Sequence, residues 1–119
     1  MQVQRWEEEP VEELTPAIAR QVVHTDHLTV ARILLGRGAV VPEHEHVHEQ
    51  VATVLAGRLR FRIGDEERVV SAVESVVVPS GVRHSVEALE DTVVLDVFAP
   101  PRDDWIRGDD AYLRAPRDS

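Results

Sequence analysis

The chain has 119 residues, 43% hydrophobic and 29% charged, the size and balance of one globular domain and not of a disordered segment. A net charge of −9 leaves no basic face for nucleic-acid phosphates, and the absence of cysteine excludes a disulfide framework and thiolate metal ligands. No charged leader precedes an apolar run and no stretch reaches membrane-spanning length, so neither nucleic acid nor membrane is an expected partner and the cytoplasm is the expected location.

Aromatic residues are scarce and valine is frequent, which predicts a β-branched, sheet-based core. Residues 1–16 read as an arm, with Glu7-Glu8-Glu9 and Glu12-Glu13 in solvent and Trp6 and Leu14 as anchors. A short strand is predicted over 20–24 and a longer one over 28–35, with Thr29, Ala31 and Ile33 on one face and Val30 and Leu34 on the other. Gly36-Arg37-Gly38 breaks the run, and Ala39-Val40-Val41-Pro42 leads into His44-Glu45-His46-Val47-His48-Glu49-Gln50. Strands are next predicted over 50–56 and 58–63, the second alternating Arg58, Arg60 and Arg62 with Leu59, Phe61 and Ile63. A hairpin turn over 64–67 precedes a return strand at 68–71, and Pro79-Ser80-Gly81 stops a strand over 74–78. Residues 82–87 carry His84, and the last strong strand, 92–99, is stopped by Pro100-Pro101 because proline cannot donate to a ladder. About eight to ten short strands with regular turn signals predict an all-β sandwich or barrel, in one domain spanning 1–119. The tail, 103–119, is polar, with Trp105, Ile106, Tyr112 and Leu113 as packing points and room for a short helical turn.

The heptad His44–Gln50 holds half of the six histidines. In a continuous strand His44, His46, His48 and Gln50 share one face, a pattern that suits metal ligation better than a terminal purification tag. Glu43, Glu45 and Glu49 have the opposite parity and are expected in solvent. Asp96 breaks a second rule: it lies within Thr92-Val93-Val94-Leu95-Asp96-Val97-Phe98, otherwise apolar on both faces, where an unpaired carboxylate is costly. Either an arginine or histidine compensates it, or it faces a polar cavity near the metal; a residue that violates its local pattern is a candidate for function.

These residues resemble the cupins, small jelly-roll β-barrels. Gly38, His44, His46, Gln50 and Gly57 match the spacing of the first cupin motif, with Gln50 where glutamate is usual. Pro79, Gly81 and His84 match the end of the second, in which Val73 replaces a glycine and Ala88 an asparagine. The resemblance implies a divalent transition metal (Zn, Ni, Mn or Fe) held by His44, His46, His84 and the amide oxygen of Gln50. Four neutral ligands leave the metal its full charge, which favours Lewis-acid over redox chemistry. His48 is read as a structural or ligand-orienting histidine, turned away by a bend between the motif strands, with substrate contact as the alternative; for Gln50 the competing reading is an amide that orients a histidine.

A closer resemblance is to the KdgF-type pectin-degradation cupins, carried by His46-Val47-His48-Glu49-Gln50, Ala88-Leu89-Glu90-Asp91 and Leu95-Asp96-Val97-Phe98-Ala99-Pro100-Pro101-Arg102. It implies linearisation of 4,5-unsaturated uronate monosaccharides to 5-keto-4-deoxyuronate, with Asp96 and Arg102 catalytic and Phe98 and Arg102 lining the substrate site. Arg60 is an added substrate-binding candidate if its face points inward; the competing reading is a solvated arginine stripe. For Arg102 the competing reading is an exposed arginine beside Asp103 and Asp104, and for Phe98 a core filler. The implied partners are a small anionic sugar and a second copy of the chain. Other classes remain open at this stage: an Fe or Mn cupin dioxygenase, and a sugar-binding cupin without turnover.

Overall fold

Ten strands form where the sequence alternates, in a computed structural model that describes residues 1–114. They are β1 (Glu12–Thr15), β2 (Ile18–His24), β3 (Thr29–Leu35), β4 (Val40–His44), β5 (Glu49–Ala56), β6 (Arg58–Ile63), β7 (Glu66–Ser71), β8 (Ser75–Val78), β9 (His84–Ala88) and β10 (Thr92–Ala99). One α-helix, α1 (Asp103–Arg107), and 3-10 turns at Trp6–Glu8 and Ala111–Leu113 complete the described chain. The strands make two antiparallel sheets, β1-β2-β3-β10-β5-β8 and β4-β9-β6-β7, stacked as a jelly roll.

Alternation decides which side chains face between the sheets. On β10 the inward set is Thr92, Val94, Asp96 and Phe98; on β5 it is Gln50, Ala52 and Val54. On β6, Leu59 and Phe61 point inward and Arg58, Arg60 and Arg62 are exposed. Leu59, Phe61, Val54, Val78 and Val94 form the centre of the apolar core. Polar groups enter this interior at one end, where Gln50, Asp96, His84 and Arg102 are buried.

The joint between β5 and β6 is tight. Gly57 has φ +93, and a Cβ there would collide with the Asp91 carbonyl and with Thr92. The close approach lets the Thr92 hydroxyl accept from the Arg58 N–H at 3.2 Å, linking the end of β10 to the start of β6. Only glycine combines that φ with that proximity.

Four expectations need correction. The histidine heptad is not one strand: β4 ends at His44 and β5 begins at Glu49. Pro42 lies within a register shift between Val41 and His44, where a residue without an N–H is tolerated, and the chain bends beyond it. Residues 1–16 are not all arm, because β1 pairs with β2, and Glu12 is bound by Arg20 and Arg114, each at 2.8 Å. The hairpin turn is only Gly64-Asp65, since Ile63 pairs with Glu66. In the tail, Trp105 and Leu113 are buried and Tyr112 packs against the core, whereas Ile106 is 60% exposed.

Candidate metal centre

Three elements supply the histidines. His44 ends β4 and pairs directly with His84, which begins β9, while His46 lies in the bend between β4 and β5. Their ligand atoms all lie within 4.8 Å of one another, close enough to converge on one ion. Each ring is fixed by the same device: Nδ1 meets a backbone carbonyl two residues away. The pairs are His44 with Pro42 at 2.8 Å, His46 with His48 at 3.0 Å, and His84 with Val82 at 2.9 Å. A carbonyl can only accept, so Nδ1 carries the proton and Nε2 keeps its lone pair, the tautomer a metal requires.

The electrostatics agree. Burial lowers the His44 pKa to about 4 and the His46 pKa to about 3, with positive neighbours including Arg102 adding to the effect, and burial also lowers that of His84. All three are therefore neutral at pH 7. Nε2 of His46 and of His84 are buried without hydrogen-bond partners among the described residues, and so is Oε1 of Gln50. Orphaned buried acceptors converging from different strands are a costly arrangement unless a Lewis acid takes their lone pairs. The donor set thus fits a divalent transition metal, with His44, His46 and His84 as ligands and Gln50 as the fourth candidate.

Gln50 links the centre to Asp96. On β10 its cross-strand partner is Phe98, which puts Asp96 on the diagonal of the same face. The Gln50 amide nitrogen donates to Asp96 Oδ1 at 3.0 Å, so Oε1 is turned the other way. Burial raises the Asp96 pKa to about 7, against the opposing pull of Gln50 and of the Arg102 charge. Of the two readings open for this carboxylate, the structure supports the cavity-facing one: its hydrogen-bond partner is an amide, not an arginine or histidine.

A cavity of about 60 Å³ adjoins the histidines, and Gln50, Asp96, Phe98, Arg102 and Tyr112 help line it. Phe98 both walls the cavity and fills the core, in edge contact with His46 (ring centroids 5.8 Å) and Trp105 (5.2 Å). Arg102 is not the exposed rim residue of the competing reading; it is 1% exposed. Its guanidinium lies between the rings of Phe98 (4.6 Å) and Trp105 (4.3 Å) and forks onto Asp104 at 3.0 and 2.8 Å. Arg60 is corrected: it is absent from the cavity wall and pairs at the surface with Glu87 at 2.6 Å, because the apolar face of β6 takes the interior. His48 is buried beside the centre, holding His46 through its carbonyl, with its own Nε2 3.8 Å from Asp104. Glu43, Glu45 and Glu49 are exposed as expected.

Sequence reasoning assigned no role in the site to Trp105, Asp104 or Tyr112. A signal existed: the chain has few aromatic residues, and two of them stand in an otherwise polar tail.

Fold, partly buried imidazole triad and adjoining amide define a jelly-roll protein with a metal-competent pocket between its sheets. The cupin domain family matches residues 31–98, and the chain belongs to the cupin family. It is 31% identical over 103 residues to the pectin degradation protein KdgF of Dickeya dadantii, covering 84% of this chain and 94% of that protein. The structure of KdgF from a Halomonas species superposes with a TM-score of 0.81 at 33% identity, covering 85% of this chain and 94% of the other. An RmlC-like cupin from Shewanella frigidimarina superposes with a TM-score of 0.82 at 26% identity, covering 86% and 93%.

Proposed function

We propose that this protein is a metal-dependent enzyme that linearises 4,5-unsaturated uronate monosaccharides to 5-keto-4-deoxyuronate. The observation that carries the reading is Asp96, a carboxyl with a pKa near 7, buried on the cavity wall and hydrogen-bonded to the amide beside the triad. Such a group both accepts and donates protons near neutral pH. Similarity to KdgF over most of both chains supports the substrate class.

The reaction is an isomerisation. The anomeric hydroxyl loses its proton, the bond from C1 to the ring oxygen breaks, and C1 becomes an aldehyde while C5 carries an enolate. The proton then adds at C4 and the enolate becomes a ketone, so no atom enters or leaves overall. Asp96 takes the first proton and returns one to C4, on the side of the ring that faces β10. Its bond to Gln50 uses Oδ1 and fixes the carboxyl plane, leaving Oδ2 for the substrate. Arg102 holds the uronate carboxylate and so sets the register of the ring, and Phe98 supplies an apolar wall. When bound by His44, His46, His84 and Gln50, a divalent metal supplies Lewis-acid polarisation of the sugar oxygens.

The test is incubation of metal-loaded protein with unsaturated galacturonate, following loss of the conjugated absorbance and the product by NMR. Wild type should exceed the spontaneous rate, and no acceleration rules the proposal out. Asp96→Asn should keep its metal and lose about 100-fold or more in rate, the usual scale for removing a general acid–base group.

A further inference from the structure

The cavity beside the triad is too small for the ligand it is built to bind. About 60 Å³ accommodates a few waters, whereas pockets for small organic molecules start at about 300 Å³. The C-terminal turn forms part of the cavity wall, through Tyr112 and Leu113. Tyr112 is half-buried, its ring stacked on His44 with centroids 4.6 Å apart and planes inclined by 29°. Its hydroxyl accepts from Arg102 Nη2 at 2.8 Å and lies 3.5 Å from Trp105 Nε1. One side chain therefore covers a candidate ligand histidine and also engages the buried cation facing the cavity.

We propose that Tyr112 is a gate on this pocket: an anionic sugar enters as residues 109–114 turn outward, and its carboxylate takes over the Arg102 nitrogen that the Tyr112 hydroxyl holds in the closed protein. The ligand class rests on the uronate reading above; the gate rests on the cavity size and the contacts of Tyr112. Arg102 remains in place when the gate opens, because its fork onto Asp104 and its position between Phe98 and Trp105 do not involve the moving segment. The segment has a natural pivot in Gly108, which follows α1 in the left-handed conformation at φ 84. It also has a latch, since Asp110 is bound by Arg20 at 2.5 Å and Arg114 by Glu12 at 2.8 Å. An incoming carboxylate replaces the phenol oxygen with a charged acceptor, so the bond that closes the gate is exchanged for a stronger one.

The experiment uses full-length, zinc-loaded protein and reads metal release to dipicolinate and binding of D-galacturonate by calorimetry. Tyr112→Ala should release zinc at least tenfold faster, whereas Tyr112→Phe, which keeps the ring over His44, should stay within about threefold of wild type. Tyr112→Phe should also bind D-galacturonate several-fold tighter and neutral D-galactose no differently, because Arg102 Nη2 is freed. Val54→Ala, a core change on β5 away from the cavity wall, separates gating from general loosening and should leave zinc release unchanged. Equal release from wild type and Tyr112→Ala, or equal acceleration by Val54→Ala, overturns the gate. So does weaker galacturonate binding by Tyr112→Phe, which would make the hydroxyl a ligand contact and not a competitor. None of these readouts involves turnover of an unsaturated sugar, so a failure of the enzymatic reading leaves them intact.

Discussion

Two residues depart from their local pattern, with opposite consequences. Asp96 breaks the apolar run of β10 and stands where its chemistry is usable, against Gln50 and the cavity. Val73 breaks the backbone rule: it is β-branched, 86% exposed, and held at φ 62 in the turn before β8. Its N–H is committed to the Val54 carbonyl at 2.7 Å, so the turn does not relax around it. The left-handed region is unfavourable for a β-branched residue, and glycine is usual at this point of the cupin motif. The side chain is in no pocket wall and its loss uncovers no core, which leaves the strain without compensation. Val73→Gly should therefore raise stability by about 1 kcal/mol, the strain relieved less the extra entropy of an unfolded glycine. Urea unfolding of both proteins measures this, and a midpoint unchanged or lowered refutes it.

At the scale of elements, legibility in the sequence followed the range of the interaction. The strands β6 and β10 have the predicted bounds, because alternation and the flanking glycine and prolines are local signals. The triad was legible through motif spacing, and so was a bend that turns His48 away; what was not legible is that the bend follows Pro42 and moves His46 off the β4 face. The C-terminal segment was the least legible, since its partners are far away in the chain. Asp110 reads as one more polar tail residue, yet it is 1% exposed and bound to Arg20, ninety positions earlier, which is itself 3% exposed. Removing one partner of a buried pair leaves the other charge uncompensated, at a cost of about 3–5 kcal/mol. Glu12 still holds Arg20 at 2.8 Å, so the lower end applies. Asp110→Ala is expected to cost about 3 kcal/mol in thermal or denaturant unfolding. A loss under about 1 kcal/mol, the ordinary range for a surface ion pair, would mean that the latch contributes little to the closed state.

For the whole molecule, the interior gathers groups that titrate against each other as pH changes. His44 and His46 have folded pKa values of about 4 and about 3 against 6.5 in the unfolded chain, and that of His84 is lowered too. Between pH 6.5 and about 4 the unfolded chain binds more protons at these three sites, so acid favours unfolding and stability rises with pH across that window. Asp96 acts in the other direction. Its folded pKa of about 7 is above its ordinary 3.8, so its contribution is fully present below 3.8 and is lost as pH rises through 7. Over the acid window three histidines oppose one carboxyl, and the histidines dominate. The metal-free protein should therefore melt at progressively lower temperature as the pH falls from about 7 to about 4, and change little above about pH 7.5, where the opposing contributions nearly cancel. Asp96→Asn removes the opposing contribution between 3.8 and about 7, so the fall in melting temperature on acidification becomes steeper. Zinc should raise the melting temperature most near neutrality, and its effect should vanish on acidification, because protons and metal compete for the same Nε2 lone pairs. A melting temperature that stays flat between pH 6.5 and 5 in the metal-free protein would show that the imidazoles are not buried as neutral groups. The assignment of the triad as a pre-set metal centre would then lose its electrostatic support.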